Sequence, residues 1–177
     1  VQDTASQLCC KALCVRSGDT VIDLCAAPGG KSFTLAEMMK SSGKVLSCDI
    51  YEHRLKLIKD GADRLGLTNI ETMLNDGSIY NASIPKADKI LCDVPCSGLG
   101  VIRKKPEIRY KKSDEVDKLG DLQYAILCVS SNYLKIGGEL VYSTCSLNPD
   151  ENEKIIEKFL SEHNDFESVK VLPELKR

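Results

Sequence analysis

The chain has 177 residues, 42% of them hydrophobic and 28% charged, with a net charge of −2. That length suits one domain with a real core, and the near-neutral charge excludes a broadly basic nucleic-acid binder, so any such contact must come from a local patch. No apolar run approaches the ~18 residues of a membrane span, and nine scattered cysteines with no CxxC pair exclude both a disulfide framework and a zinc site, pointing to a reducing, cytoplasmic setting.

Residues 3–15 carry Ala5, Leu8, Cys9, Ala12 and Leu13 at helical spacing. Residues 20–25 (TVIDLC) read as a buried strand and residues 30–40 as a helix after a glycine turn. Residues 44–49 form a second strand, and residues 51–65 a helix with Tyr51, Leu55, Ile58, Ala62 and Leu65 on one face. Residues 69–74 and 89–92 read as the third and fourth strands. A basic loop over residues 95–112 leads to a long helix that Ser113 would cap, that Gly120 would weaken or bend, and that ends near Lys135. The fifth strand covers residues 137–143 (GGELVYS), and residues 148–163 form an acidic amphipathic helix with Ile155, Ile156, Phe159 and Leu160 inward. Strands alternating with helices imply an α/β fold with a mostly parallel, doubly wound sheet. Ligands in such sheets bind beyond the carboxyl ends of the strands.

Three features gather at that edge. After the first strand comes DLCAAPGGKS (residues 23–32), whose small residues let the backbone approach a ligand just before a helix N-terminus. As a phosphate-binding loop it falls short: Gly30, Lys31 and Ser32 fit the end of GxxxxGK[ST], but Cys25 stands where the first glycine belongs. A plain strand-to-helix turn is the bland alternative. The second strand ends in Asp49, suited to a ribose, and the third leads to Asp76, suited to an adenine amine. Together these features suit an adenosine-bearing ligand without a phosphate cradle, and S-adenosylmethionine fits better than a nucleotide. Finally, Asp93 and Cys96 follow the fourth strand and Cys145 follows the fifth. The other seven cysteines (Cys9, Cys10, Cys14, Cys25, Cys48, Cys92 and Cys128) read as small buried hydrophobes.

DLCAAPGGKS, DIYEHRL, NDGS, DVPCSGLGVIRKKPEIRY and STCSLNPDENE, taken in order with the VQDTAS lead-in, resemble the motifs of the Sun/Nop family of RNA (cytosine-5)-methyltransferases, and within it the bacterial ribosomal RNA branch. The resemblance implies a Rossmann-like fold and S-adenosylmethionine held by Cys25, Ala26, Ala27, Pro28, Gly29, Gly30, Lys31, Asp49, Asp76 and Asp93, with Arg54 in support. It also assigns Cys145 as nucleophile, Cys96 to product release, Asp93 to polarising the base, and Lys31 to reaching it. A thiolate suits addition to carbon 6 of cytosine, which makes carbon 5 enamine-like and able to attack a methyl sulfonium. In DNA cytosine-5 methyltransferases the proline–cysteine thiol is itself the nucleophile, so motif reasoning alone would also allow the two roles to be exchanged.

Arg103, Lys104, Lys105, Arg109, Lys111 and Lys112 stand against one acid, Glu107, directly after the proline–cysteine motif. This patch could hold RNA phosphates, with Tyr110 stacking on a base. A target cytosine within a helix would have to be turned out of the stack. Beginning at Val1, the chain reads as residues 1–177 of a methyltransferase catalytic domain, lacking the family's N-terminal RNA-binding region and its C-terminal strand pair, and leaving a sheet edge open to self-association. The rival readings are a P-loop-like nucleotide hydrolase and a non-catalytic RNA-binding assembly factor.

Overall fold

A computed structural model describes residues 2–110 and 113–170, with backbone only for residues 113–118. Lys111, Lys112, the Ser113 side chain and residues 171–177 lie outside the described residues.

The elements alternate as the periodicity implies. They are α1 (Thr4–Ala12), β1 (Thr20–Asp23), α2 (Gly30–Met38), β2 (Lys44–Asp49), α3 (Glu52–Leu65), β3 (Ile70–Leu74), β4 (Ala87–Asp93), α4 (Ser113–Ser131), β5 (Leu134–Ser143) and α5 (Glu153–Glu162). All pairings are parallel, in the order β3-β2-β1-β4-β5. Parallel strands therefore deliver the residues after β1, β2, β3, β4 and β5 to one edge.

Alternation along β1 splits the core between the two faces of the sheet. Val21 packs with Leu13, Leu35, Met39, Val45 and Leu91, while Ile22 packs with Leu24, Leu46, Ile84, Ile90 and Tyr133. The doubly covered strands β1, β2 and β4 are apolar on both sides, and β5 at the edge is half-exposed.

Several expectations shift. β1 stops at Asp23, so Leu24 and Cys25 belong to the following turn. In α1, Ala5 is exposed and Cys10 is buried in its place. In α3 the buried face is Leu55, Ile58, Gly61 and Ala62, whereas Tyr51 and Leu65 are exposed. Gly61 is there because a Cβ would stand 2.4 Å from the Phe33 ring. α4 runs through Gly120 unbroken, and it ends at Ser131, so Lys135 falls in β5. The expected helix over residues 148–163 divides into a 3₁₀ turn at Pro149–Glu151 and α5, with Asn152 between them. The loop after β4 carries two further 3₁₀ turns, Leu99–Val101 and Pro106–Tyr110. Cys10, Cys48 and Cys92 are buried as expected, but Cys14 is exposed and Cys9, Cys25 and Cys128 are only partly covered.

Candidate active site

The turn after β1 is built around Gly29, whose φ of 104° favours glycine and whose Cβ would lie 2.5 Å from the Phe33 ring. Asp49 braces this turn. Its Oδ2 accepts from the Ala27 amide at 3.3 Å and its Oδ1 from the Tyr51 amide at 3.1 Å. Arg54 donates to the Ala27 carbonyl at 3.2 Å and pairs with Asp49 at 3.5 Å. Asp76 accepts from both the amide and the hydroxyl of Ser78, at 2.9 and 2.6 Å, and the neighbouring Asn75 amide donates to the Asp49 carbonyl at 3.0 Å. The acids after β2 and β3 are thereby joined along one rim.

Asp23, at the end of β1, is 1% exposed. Its Oδ2 accepts from the Ser32 hydroxyl at 2.7 Å, and the Ser32 hydroxyl oxygen in turn accepts from the Ser47 hydroxyl at 2.8 Å. Its Oδ1 has no partner among the described residues. Burial disfavours the ionised form and pushes the carboxyl up to about 7. A P-loop would turn the Ser32 hydroxyl to a metal and Lys31 to phosphates; here both are engaged with aspartates.

A cavity of about 210 Å³ opens beside this turn, lined by Gln2, Ser6, Asp23, Cys25, Ala26, Ala27, Pro28, Gly30, Lys31 and Asp93. Two buried atoms of its lining residues are unpartnered, Asp23 Oδ1 and Gln2 Nε2. The Gln2 amide is fixed because its Oε1 accepts from the Thr34 hydroxyl at 2.6 Å. Gln2 and Ser6 come from the lead-in segment, to which the sequence reading gave no role.

The cavity meets the thiols through Asp93. Lys31 Nζ donates to Asp93 Oδ2 at 2.6 Å and the Ser143 hydroxyl donates to Oδ1 at 2.6 Å. Burial opposes the Lys31 charge, but Asp93 outweighs it and keeps the ammonium protonated. Two residues beyond Ser143 lies Cys145, exposed, with its sulfur 2.9 Å from that of Cys96. The Cys145 amide also donates to the Cys96 sulfur at 3.2 Å. The Gly100 amide donates to the Cys145 carbonyl at 2.9 Å, and a Cβ on Gly100 would stand 2.8 Å from that oxygen. A thiol donated by Cys96 favours a thiolate on its neighbour and lowers Cys145 to about 6, while Cys96 is held well above the usual thiol range.

Of the residues singled out from the sequence, Cys25, Ala26, Ala27, Pro28, Gly30, Lys31 and Asp93 line the cavity. Gly29, Asp49 and Arg54 shape its turn, and Cys96 and Cys145 stand beyond Asp93. Sequence reasoning passed over Asp23, Gln2 and Glu151. Asp23 had a visible signal, since a carboxylate stands within the apolar run TVIDLC. Arg103, Lys104, Lys105, Arg109 and Tyr110 are exposed, and Lys104 is paired with Asp3 of the lead-in. Ile108 is buried beneath Gly98 and anchors this loop.

A parallel β3-β2-β1-β4-β5 sheet with a small-residue turn after its central strand, and an acid and two thiols at the same edge, defines the Rossmann-like methyltransferase class. The chain belongs to the family described as 16S rRNA methyltransferase RsmB/F, whose pattern matches residues 10–176. It is 47% identical over 170 residues to the probable ribosomal RNA small subunit methyltransferase B of Bacillus subtilis (strain 168), covering 94% of this chain and 38% of that protein. The crystal structure of PH0851 superposes with a TM-score of 0.89 at 39% identity, covering 92% of this chain and 38% of the other. That of NSun6 from Pyrococcus horikoshii with SFG gives 0.82 at 30% identity, covering 91% and 41%. The chain thus spans about two fifths of the length of the curated relatives it matches.

Proposed function

We propose that this chain is the catalytic domain of an S-adenosylmethionine-dependent RNA (cytosine-5)-methyltransferase acting in the cytoplasm on small-subunit ribosomal RNA. The observation that carries the reading is the pair of sulfurs 2.9 Å apart on the turns after β4 and β5, beside the Lys31–Asp93 pair. The relatives' names support an RNA substrate in the small ribosomal subunit, and SFG, an S-adenosylmethionine analogue, supports the cofactor.

The residues present fit the cofactor. Among the described residues Asp23 Oδ1, a buried acceptor, and Gln2 Nε2, a buried donor, have no hydrogen-bond partner, matching the ammonium and carboxylate of an amino-acid end. Gly30 faces open space, with only Gln2 within 4 Å of a Cβ placed there. When bound, the cofactor supplies an electrophilic methyl group. The chain supplies everything that prepares the base. Cys145, held as a thiolate by the Cys96 thiol, adds to carbon 6 of cytosine. Asp93, oriented by Lys31 and Ser143, shares a proton with nitrogen 3 of the base, so that the ring can absorb the negative charge of the addition, and carbon 5 becomes the nucleophile. A base, water included, then takes the carbon 5 proton, the electron pair re-forms the carbon 5–carbon 6 double bond and the Cys145 sulfur leaves carbon 6 as a thiolate, with Cys96 standing at the leaving sulfur to assist that release. Arg103, Lys104, Lys105 and Arg109 hold the RNA backbone, and Tyr110, 87% exposed, offers a ring for stacking.

The thiol roles are separated by incubating each variant with target RNA and cofactor, then resolving protein–RNA adducts on denaturing gels. Cys145→Ala yields no adduct and no methyl transfer; Cys96→Ala forms the adduct and retains it. The reverse pattern overturns the assignment.

A further inference from the structure

Ser97 follows Cys96, Ser146 follows Cys145, and both serines converge on one carboxylate. Glu151 is 1% exposed. Its Oε1 accepts from the Ser97 amide at 2.7 Å and from Gln123 Nε2 at 3.0 Å. Its Oε2 accepts from the hydroxyls of Ser97 and Ser146, each at 2.5 Å, and those hydroxyls are 2.9 Å from each other. The Tyr142 hydroxyl donates to the Glu151 carbonyl at 2.7 Å. Asn152 completes the grip, accepting from the Thr144 hydroxyl at 2.6 Å and donating to the Ser146 carbonyl at 3.0 Å. Cys145 is therefore held from the residue before it and the residue after it.

A buried carboxylate is costly unless its charge is met by donors. Among the described residues no cation pairs with Glu151; four hydrogen bonds meet it, three of them from the two serines. An apolar residue of similar size would fill the space without that cost, so the carboxylate's contribution lies in what it fixes. Burial opposes its charge, but the hydrogen bonds from Ser146 and Ser97 outweigh burial and hold it below the ordinary glutamate range. The break of the helix at Asn152 turns Glu151 and Asn152 toward the two thiol turns.

We propose that Glu151 is a positioning residue that clamps the proline–cysteine turn to the turn after β5, so that one thiol can stabilise and later release the other. This rests on the reading of Cys145 and Cys96 given above. The groups facing the Cys145 sulfur are Cys96, Asp93 and Lys105, with Lys31 bound to Asp93. Removing a negative charge at residue 151 would, through charge alone, lower the Cys145 midpoint. Letting the two turns separate deprives the thiolate of its donor and raises it. The sign distinguishes the two.

The test is the pH profile of iodoacetamide alkylation of Cys145, followed by mass spectrometry on the full chain, for Glu151→Gln, Ser97→Ala, Ser146→Ala and the exposed control Glu157→Gln. Glu151→Gln and Ser146→Ala are expected to raise the midpoint by about one unit, cutting the rate near pH 6 roughly fivefold. Ser97→Ala is expected to prolong the adduct formed with unmodified target RNA and cofactor, and Glu157→Gln to match the parent in both measurements. Should Glu151→Gln fail to fold, the two serine variants, each losing a single hydroxyl, decide. Folded variants with the parent's profile and adduct lifetime overturn the proposal. If the parent forms no adduct with RNA yet the profile still shifts in the variants, the clamp stands and the proposed function fails.

Discussion

Two sulfurs at 2.9 Å cannot both carry a charge cheaply, and the pair resolves this by sharing a proton. Cys145 takes the lower value because it accepts the hydrogen bond from Cys96, an effect that outweighs its partial burial, whereas Cys96 is more covered and acts as donor. Asp23 is the other residue whose ionisation matters. In the folded chain its carboxyl stands at about 7, against an ordinary 3.8. Between those values the folded chain holds a proton the unfolded chain has released, so folding stability falls as pH rises through that window and is level above it. Asp23→Asn should flatten this slope in denaturant titrations of the unliganded chain. The same substitution should weaken S-adenosylmethionine binding by about tenfold or more in calorimetry, the loss expected for one charge-assisted hydrogen bond.

At the scale of elements, the turn from β1 to α2 decides whether the cavity exists. Gly29 has a φ of 104° and no room for a methyl group beside Phe33. Gly29→Ala should therefore cost at least about 2 kcal/mol of stability in denaturant titration. Gly61 packs against the same ring from α3, so the turn, α2 and α3 share one aromatic contact. The sequence made most of these elements readable through period and punctuation: the apolar runs of β1, β2 and β4, and the glycine turn before α2. What it blurred were the ends. The start of the strand at residues 134–135 looked like the tail of α4, which was expected to end near Lys135; β4 pairing with Leu134 makes it a strand. The split at Asn152 was blurred as well: Asn148 and Asn152 both suit the residue before a helix, and only the structure shows Asn148 opening a 3₁₀ turn and Asn152 preceding α5.

For the whole molecule, the parallel sheet sets a single functional edge, and a ligand bound there stabilises the fold by mass action. At a hundredfold excess over Kd the gain is about 2.7 kcal/mol. S-adenosylmethionine should therefore raise the thermal midpoint by roughly 5–10 °C, whereas ATP with magnesium should leave it in place. A rise with ATP alone would restore the nucleotide-hydrolase reading, against which the engaged Ser32 and Lys31 now stand.

The linear chain by itself determined the α/β alternation, the small-residue turn and the presence of an acid and a thiol after β4 and a thiol after β5, because each is written in local period or adjacent residues. Only the tertiary structure decided that Lys31 holds Asp93 across 62 positions, that Cys96 meets Cys145 across 49, and that Glu151 binds the serine beside each thiol. Such distances are closed by strand pairing and by burial of charge against distant donors, and neither leaves a mark on any short stretch of sequence.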